Sequence, residues 1–463
     1  MPSPVAFHGT LIHSVTISEV EILENTLLVV DGNGLIVHLE PGISPESLNS
    51  RLASFRLNLS PSSIHHLRHG DFLIPGFIDT HNHAPQWNQR GLGRGLQILD
   101  WLDQITFKNE SKFADTTHAA RVYEKCVSGM LKQGVTTASY YASLHGPATN
   151  ILADTCLRKG QRALIGKCNM DRNSPSFYIE PSAQDSLDAT RDVISHIQSI
   201  DPTGATVRPV ITPRFAISCT DELLSGLGDL ARAHPTLPIQ THFNEAQSEI
   251  DATLSLFPQF TNEVDLYKHF NLLTRHTILA HCCHMTPSEI TSLQTLDCGI
   301  AHCPIANTTV GGGFMAAPIR TFLNAGITKI GLGTDSGGGF SSSILDAMRQ
   351  AFIVSNAREM MSDGKEKAVS IDEAFYMATW GGAKVCGIGE KVGRFEVGKE
   401  FDAILVRTEE DSEPDEHGLG GDVGVMTPVE EGDSVRTVFE KFIMSGDDRN
   451  FATVWVKGRQ VKG

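Results

Sequence analysis

Five residues in this sequence could hold a divalent metal ion: His81, His83, His242, His281 and Asp335. Imidazole nitrogens and a carboxylate oxygen are borderline-to-hard donors, a set that suits Zn²⁺ and, less commonly, Fe²⁺ or Mn²⁺. Taken singly, each has a plainer reading, because a His at a strand end is ordinarily a hydrogen-bonded core or rim residue. The pair in His81-Asn82-His83 is more specific, since residues two apart on a strand point to the same side. Position is what joins the five. His81 and His83 follow the first of eight short apolar segments, His242 ends the fifth, His281 the sixth and Asp335 the eighth.

Those segments cover 72–79, 134–140, 163–167, 207–212, 239–242, 277–281, 299–303 and 330–335, and longer helix-like stretches separate them. Eight strands alternating with helices is the pattern of a (β/α)₈ TIM barrel, whose strands are buried on both faces and need not alternate in polarity. Barrel active sites are built at the C-terminal ends of the strands, so five residues remote in sequence are expected to converge there. The helices between carry start signals. Thr220 stands ready to cap a segment with Leu223, Leu224, Leu227, Leu230 and Ala231 at helical spacing, and Pro235 lies just past its end. Ser370 and Glu373 have the spacing of a capping box.

The two ends read differently. Short β-like runs with a tight turn at Asp31-Gly32-Asn33-Gly34 lie in residues 1–71, and similar runs lie in 388–463. The expectation is a small β-sandwich domain made from both termini, around a catalytic barrel over 72–387. Residues 44–70, with His65, His66 and His69, and the acidic stretch 409–421 are expected as surface loops.

The chain has 463 residues, 40% of them hydrophobic and 20% charged, which allows a large core. Its formal charge of -16 repels polyanions, so neither nucleic acid nor an anionic membrane is an expected partner, and a neutral small molecule is. No basic cluster precedes an apolar run near Met1, and no run approaches ~18 apolar residues. Nine scattered cysteines fit reduced thiols, and the expected location is the cytoplasm.

The run Pro75-Gly76-Phe77-Ile78-Asp79-Thr80-His81-Asn82-His83 resembles the opening motif of the amidohydrolase superfamily. Thr212-Pro213-Arg214-Phe215, Thr241-His242-Phe243-Asn244-Glu245, Ala280-His281, Ala301-His302-Cys303-Pro304 and Gly331-Leu332-Gly333-Thr334-Asp335 follow in the order seen in its guanine deaminase branch. Leu99-Asp100-Trp101-Leu102 and Gly446-Asp447-Asp448-Arg449-Asn450 resemble that branch too, so the similarity spans nearly the whole chain. The resemblance implies hydrolysis of guanine to xanthine and ammonia, with one zinc held by His81, His83, His242 and Asp335. His281 would bind that zinc or orient its water. By the same resemblance Asp335 also takes the water proton, and Glu245 passes protons to the ring nitrogen and the leaving ammonia. Without the family, Glu245 reads equally as a surface carboxylate in the run 245–249.

The resemblance assigns Gln86, Arg214 and Phe215 to guanine, and His242 joins them in lining the substrate. These side chains suit recognition of a flat polar base, since they supply an amide that donates and accepts, a fork of donors, and a ring face. An Arg at a strand end could instead pair with a structural carboxylate. Dinuclear relatives carry a modified lysine at the end of the fourth strand. Here that strand finishes Ile211-Thr212-Pro213-Arg214, which points to a single zinc, and Lys167 reads as structural. A homodimer is implied by the family alone.

Other clusters carry less. His281-Cys282-Cys283-His284 cannot converge on one ion, because consecutive strand residues face opposite ways. The glycine runs 311–313 and 337–339 lack the Lys of a phosphate loop and read as rim turns, and the signature of cytidine-type deaminases is missing. Asn82, Pro85, Trp87 and the run 307–311 depart from the pattern expected of vertebrate members. The nearest rival is therefore a mononuclear amidohydrolase acting on another ring, such as a triazine or an adenine-like compound. A metal-free structural protein on the same scaffold is the rival from another class, and the filled ligand positions argue against it.

Overall fold

Eight short parallel strands position the candidate metal residues, the four histidines within strands and Asp335 three residues past the last, and the computed structural model arranges them in two four-stranded sheets. It describes residues 4–55, 63–68, 70–311, 313, 315–408, 427 and 429–463. The first sheet runs Val207–Pro209, Arg162–Gly166, Val135–Tyr141 and Phe77–His83, all parallel. The second runs Ile239–Phe243, Thr277–His281, Gly299–His302 and Ile330–Leu332, again all parallel. A parallel bridge from Ile211 to Ile239 links the fourth expected segment to the fifth. Apart from Arg208 every residue in these eight strands is buried, which is why they read as apolar runs without alternation.

Helices cover the outside, and their expected caps are in place. Thr220 accepts from the backbone N–H of Leu223 at the start of Asp221–Ala233, whose Leu223, Leu224, Leu227, Leu230 and Ala231 are buried. Ser370 and Glu373 form a reciprocal capping box on Ile371–Tyr376, and Thr286 and Glu289 form another on Pro287–Leu296. Each such cap satisfies two otherwise orphaned backbone donors.

The segment expected as one strand over 72–79 is divided. Phe72–Pro75 pairs antiparallel with Ala403–Val406 and parallel with Val5–Ser14, so it belongs to the terminal sheet, and only Phe77–His83 joins the inner set. Pro75 and Gly76 explain the break. Proline cannot continue a ladder on its N–H side, and a Cβ at Gly76 would lie 2.2 Å from the Thr136 side chain, so only glycine lets the chains pass this closely.

The termini together form one eight-stranded sheet, in the order Arg459–Lys462, Phe451–Val456, Ala403–Val406, Phe72–Pro75, Val5–Ser14, Val20–Val30 and Ile36–Glu40, with Ile64–His66 also beside Val5–Ser14. Phe7, Leu11, Phe401 and Trp455 pack on one face, and Ala6, Leu27, Val29 and Leu48 on the other. The turn at 31–34 is tight, with Gly34 N–H donating to Asp31 O at 3.0 Å and the Asp31 side chain accepting from Asn33 and Leu35. Residues 44–70 are not all loop. Pro45–Leu52 is a helix, with Pro45 in its first turn, Glu46 near its N-terminus and Arg51 near its C-terminus, and His65 and His66 lie in a strand rather than a loop. His69, Gly312 and the acidic stretch 409–421 lie outside the described residues.

Candidate active site

The first and last inner strands are tied together just where the candidate ligands sit. Asp79, fully buried, accepts from Thr334 Oγ1 at 2.6 Å, Thr334 N–H at 3.0 Å and Asn82 Nδ2 at 2.9 Å. The Asp335 N–H then donates to His81 O at 2.9 Å. Asn82, a departure from the pattern expected of relatives, thus faces this structural clamp and not the cavity. Asp335 and His281 have φ of 43° and 75°. Both are in the left-handed region, which non-glycine residues occupy at a cost that surrounding structure must cover, a recurrent feature of functional sites.

All five candidate ligands meet. His81 Nε2 and His83 Nε2 lie 3.3 and 3.4 Å from Asp335 Oδ1, and His83 Nε2 lies 3.1 Å from His242 Nε2. The rings of His81 and His281 have centroids 5.2 Å apart. Ligand atoms of His81, His242 and His281 lie within 4.8 Å of one another, as do those of His81, His83 and Asp335. The tautomers follow from the outer nitrogens. His242 Nδ1–H donates to Arg214 O at 2.6 Å and His281 Nδ1–H to Asn307 Oδ1 at 2.7 Å, which turns the Nε2 lone pair of each inward.

This donor set fits a cation. Neither His81 Nε2 nor His281 Nε2 has a hydrogen-bond partner, although both are buried, and two imidazole nitrogens face each other at 3.1 Å. Buried polar atoms are normally satisfied, and a metal at their common centre satisfies all of them. Burial holds the four imidazoles below the ordinary 6.5, in the neutral form that binds metal. Burial raises the Asp335 pKa, but the surrounding imidazoles of His81, His83 and His281 outweigh it and hold this carboxyl below the usual carboxylate range.

Glu245 stands across from this cluster, buried, with Oε2 at 3.5 Å from His281 Nε2. Burial, helped by the charge of Asp335, pushes its pKa well above 4.5, so the carboxyl favours its protonated form. A second set of carboxylates holds the loop that carries it. Glu263 accepts from Asn244 N–H at 2.9 Å, Glu289 from Asn244 Nδ2 at 2.9 Å, and Glu249 from Glu245 N–H at 3.1 Å. The surface reading of Glu245 is therefore excluded, since the side chain is 6% exposed.

A cavity opens over these groups, lined among others by His83, Gln86, Trp101, Arg214, Phe215 and Glu245. Every residue expected to touch substrate is on its wall. Arg214 is also paired, bidentate, with the buried carboxylate of Glu110, through Nη1 at 2.6 Å and Nη2 at 3.2 Å. The carboxylate pairing read as the alternative for Arg214 is therefore present, on a side chain that also lines the cavity. Lys167 is structural, as expected: it is buried, ion-paired with Glu180, and donates to Cys168 O. Cys282 and Cys283 are buried in the hydrophobic core, their Sγ atoms directed to Leu279 O and Met315 O, and neither is in the donor cluster.

Glu110 and Tyr178 lie in no motif, and Asp79, inside the opening motif, and Asn307, in the divergent run 307–311, carry no expected role. Glu110 ends a short helix, Phe107–Glu110, beside Lys108 and Asn109, where a charge looks like ordinary solvent-facing polarity. Only its complete burial gives it away.

The amidohydrolase family model matches residues 72–461. A Schizosaccharomyces pombe protein named "Probable guanine deaminase" is 42% identical over 99% of this chain and 83% of its own length. The guanine deaminase of Dictyostelium discoideum is 40% identical over 98% of each chain. Among solved structures, the guanine deaminase of C. acetobutylicum with guanine in its active site superposes with a TM-score of 0.86 at 31% identity, covering 99% of this chain and 100% of the other. With such identity across both full lengths, and with the metal-type donors brought together at one rim, this chain belongs to the amidohydrolase family and, within it, to the guanine deaminases.

Proposed function

We propose that this protein hydrolyses guanine at C2, water replacing the amino group to give xanthine and ammonia. The observation that carries this reading is one cavity with two kinds of wall: buried neutral imidazoles and Asp335 on one side, and Gln86 with Arg214 on the other. His81, His83, His242, His281 and Asp335 would hold one zinc per chain, with His281 as a ligand or as the group that orients water. Zinc held there supplies the Lewis acidity that makes hydroxide available near neutral pH.

The chain's own groups do the rest. The Asp335 carboxylate accepts a proton from the attacking water. Glu245 delivers its carboxyl proton to the ring nitrogen beside C2, recovers one from the new C2 hydroxyl and passes it to the departing amine as the C–N bond breaks; the proton held by Asp335 then returns to Glu245 through solvent. Phe215 and Trp101 give the flat base apolar surface and exclude bulk water. Gln86 and Arg214 bind its polar edge.

The test is ammonia release by the purified protein from guanine, adenine, cytosine and melamine in parallel. Guanine is expected to be turned over far faster than the other three. Preference for melamine or adenine would replace this reading with the rival one.

Gly337 offers a second check on the cavity wall. It has φ of 118°, and a Cβ there would lie 2.1 Å from Gln86 Oε1. Gly337→Ala is expected to lose about 1–3 kcal/mol of stability through backbone strain and to raise KM for guanine by displacing Gln86. Denaturant unfolding and steady-state kinetics measure both.

The wider organisation belongs to the same reading. We infer that the two inner sheets close into a (β/α)₈ barrel within 77–387, supported by the Asp335-to-His81 backbone bond, with a β-sandwich made from 1–75 and 388–463. The bulge between Gly9 and Leu11 favours folding of the terminal sheet on itself, since bulges bend strands. A homodimer in the cytoplasm is part of this proposal. All nine cysteines are buried and free, in keeping with a reducing compartment, and among the described residues no helix is long and apolar enough to cross a membrane.

A further inference from the structure

Two of the groups assigned to the base hang from a single oxygen. Gln86 Nε2 donates to Glu110 Oε1 at 2.8 Å, and Arg214 Nη2 reaches the same oxygen at 3.2 Å. The other oxygen, Oε2, accepts from Arg214 Nη1 at 2.6 Å and Tyr178 OH at 2.7 Å. Glu110 itself has no exposure to solvent, and Gln86 and Arg214 are each 1% exposed.

A carboxylate paired with a guanidinium offers only acceptors. The Gln86 amide must therefore turn its NH₂ to Glu110, because the flipped amide would set oxygen against oxygen inside the protein. That leaves Gln86 Oε1, which accepts from Gln89 Nε2 at 3.3 Å and keeps a second lone pair, as the acceptor it can present to a ligand. Arg214 has only donors, and its buried Nε–H has no partner. The wall consequently shows an acceptor beside donors. Its complement is a ring edge with N–H beside C=O, the lactam edge. The amidine edge of an aminopurine, a bare nitrogen beside NH₂, reverses both.

We propose that Glu110 is the positioning residue that makes the cavity selective for a lactam edge, by fixing the orientation of the Gln86 amide and the Arg214 fork. This rests on the assignment of guanine as substrate. It goes further in naming which feature of guanine is read and what enforces the reading.

The probe is 2,6-diaminopurine, which keeps the 2-amino leaving group and replaces the lactam by an amidine edge. Wild type and Glu110→Gln, with equal metal content, are compared on guanine and on this analogue, and xanthine binding is measured by calorimetry. A neutral amide at 110 can donate as well as accept, so Gln86 is freed to flip and Arg214 loses its ionic partner. In Glu110→Gln, kcat/KM for guanine is expected to fall roughly 10²-fold, mainly through KM. Xanthine Kd rises in parallel, and the preference for guanine over 2,6-diaminopurine narrows by about tenfold or more. Equal losses on both purines, or no change in either, would overturn the proposal. If Glu110→Gln does not fold, Tyr178→Phe removes one bond to the carboxylate and should narrow the ratio to a smaller extent; an unchanged ratio there overturns it as well. A zinc-loaded wild type that releases nothing from guanine overturns the substrate assignment instead, so the two failures are distinct.

Discussion

Replacing Glu245 by Gln leaves the metal content at the wild-type value and lowers kcat for guanine by about 10²–10⁴-fold, the usual contribution of a positioned proton donor. The substitution keeps the shape and the backbone N–H that Glu249 accepts, so the loop has no reason to move. What it removes is a carboxyl whose pKa burial raises, 3.5 Å from His281 Nε2, and with it the capacity to give and take a proton. Xanthine formation followed by absorbance, with metal analysis and thermal unfolding of the same preparation, measures all three quantities. Full activity with metal bound would end the role assigned to Glu245. Loss of metal along with activity would instead make Glu245 part of the cation's support.

The loop that carries Glu245 also shows how much of the site is legible in the sequence. The position of Glu245, three residues after His242 and just past a strand, places it at the rim, but nothing in 245–249 says that the loop folds inward. Burial of three further carboxylates decides it. Glu249, Glu263 and Glu289 each accept a hydrogen bond from the backbone or side chain of 244–245, and Asn244 takes φ of 47° to present its N–H. Such a network is assembled from three separate helices, and no local pattern records it.

The candidate metal residues are legible for the opposite reason. Their geometry is dictated by strand periodicity and by which end of a strand they occupy, both of which are local properties. The same locality explains the failure at 72–79. An apolar run cannot reveal that Pro75 and Gly76 move it from one sheet to another, because the partner strand, Ala403–Val406, is over three hundred residues away. Glu110 is the extreme case. Its three partners, Gln86, Tyr178 and Arg214, come from three parts of the chain, and only their convergence turns a helix-end charge into the anchor of the cavity wall.

Removing the metal is expected to abolish turnover and to weaken the fold in one step. Without a cation, the cavity floor is four buried imidazoles and a carboxylate, with His81 Nε2 and His281 Nε2 unsatisfied. If zinc binds this folded arrangement and not the unfolded chain, zinc at a hundredfold excess over its Kd adds about 2.7 kcal/mol to the unfolding free energy. Chelation and dialysis should therefore lower the melting temperature together with xanthine production, and added zinc should restore both. Asp335→Asn separates the charge from the shape. The amide keeps the volume and the backbone bond to His81, but it offers a neutral oxygen to the cluster and cannot take a proton from water. Lewis-acid assistance worth several kcal/mol corresponds, at about 1.36 kcal/mol per tenfold, to a fall in kcat on the order of 10³-fold or more. That loss should come with weaker zinc binding in a chelator competition, a readout independent of catalysis. A chelated, zinc-free protein that still makes xanthine at the original rate would show that the imidazoles serve some other purpose, and the chemistry would then have to be carried by Glu245 and Asp335 alone.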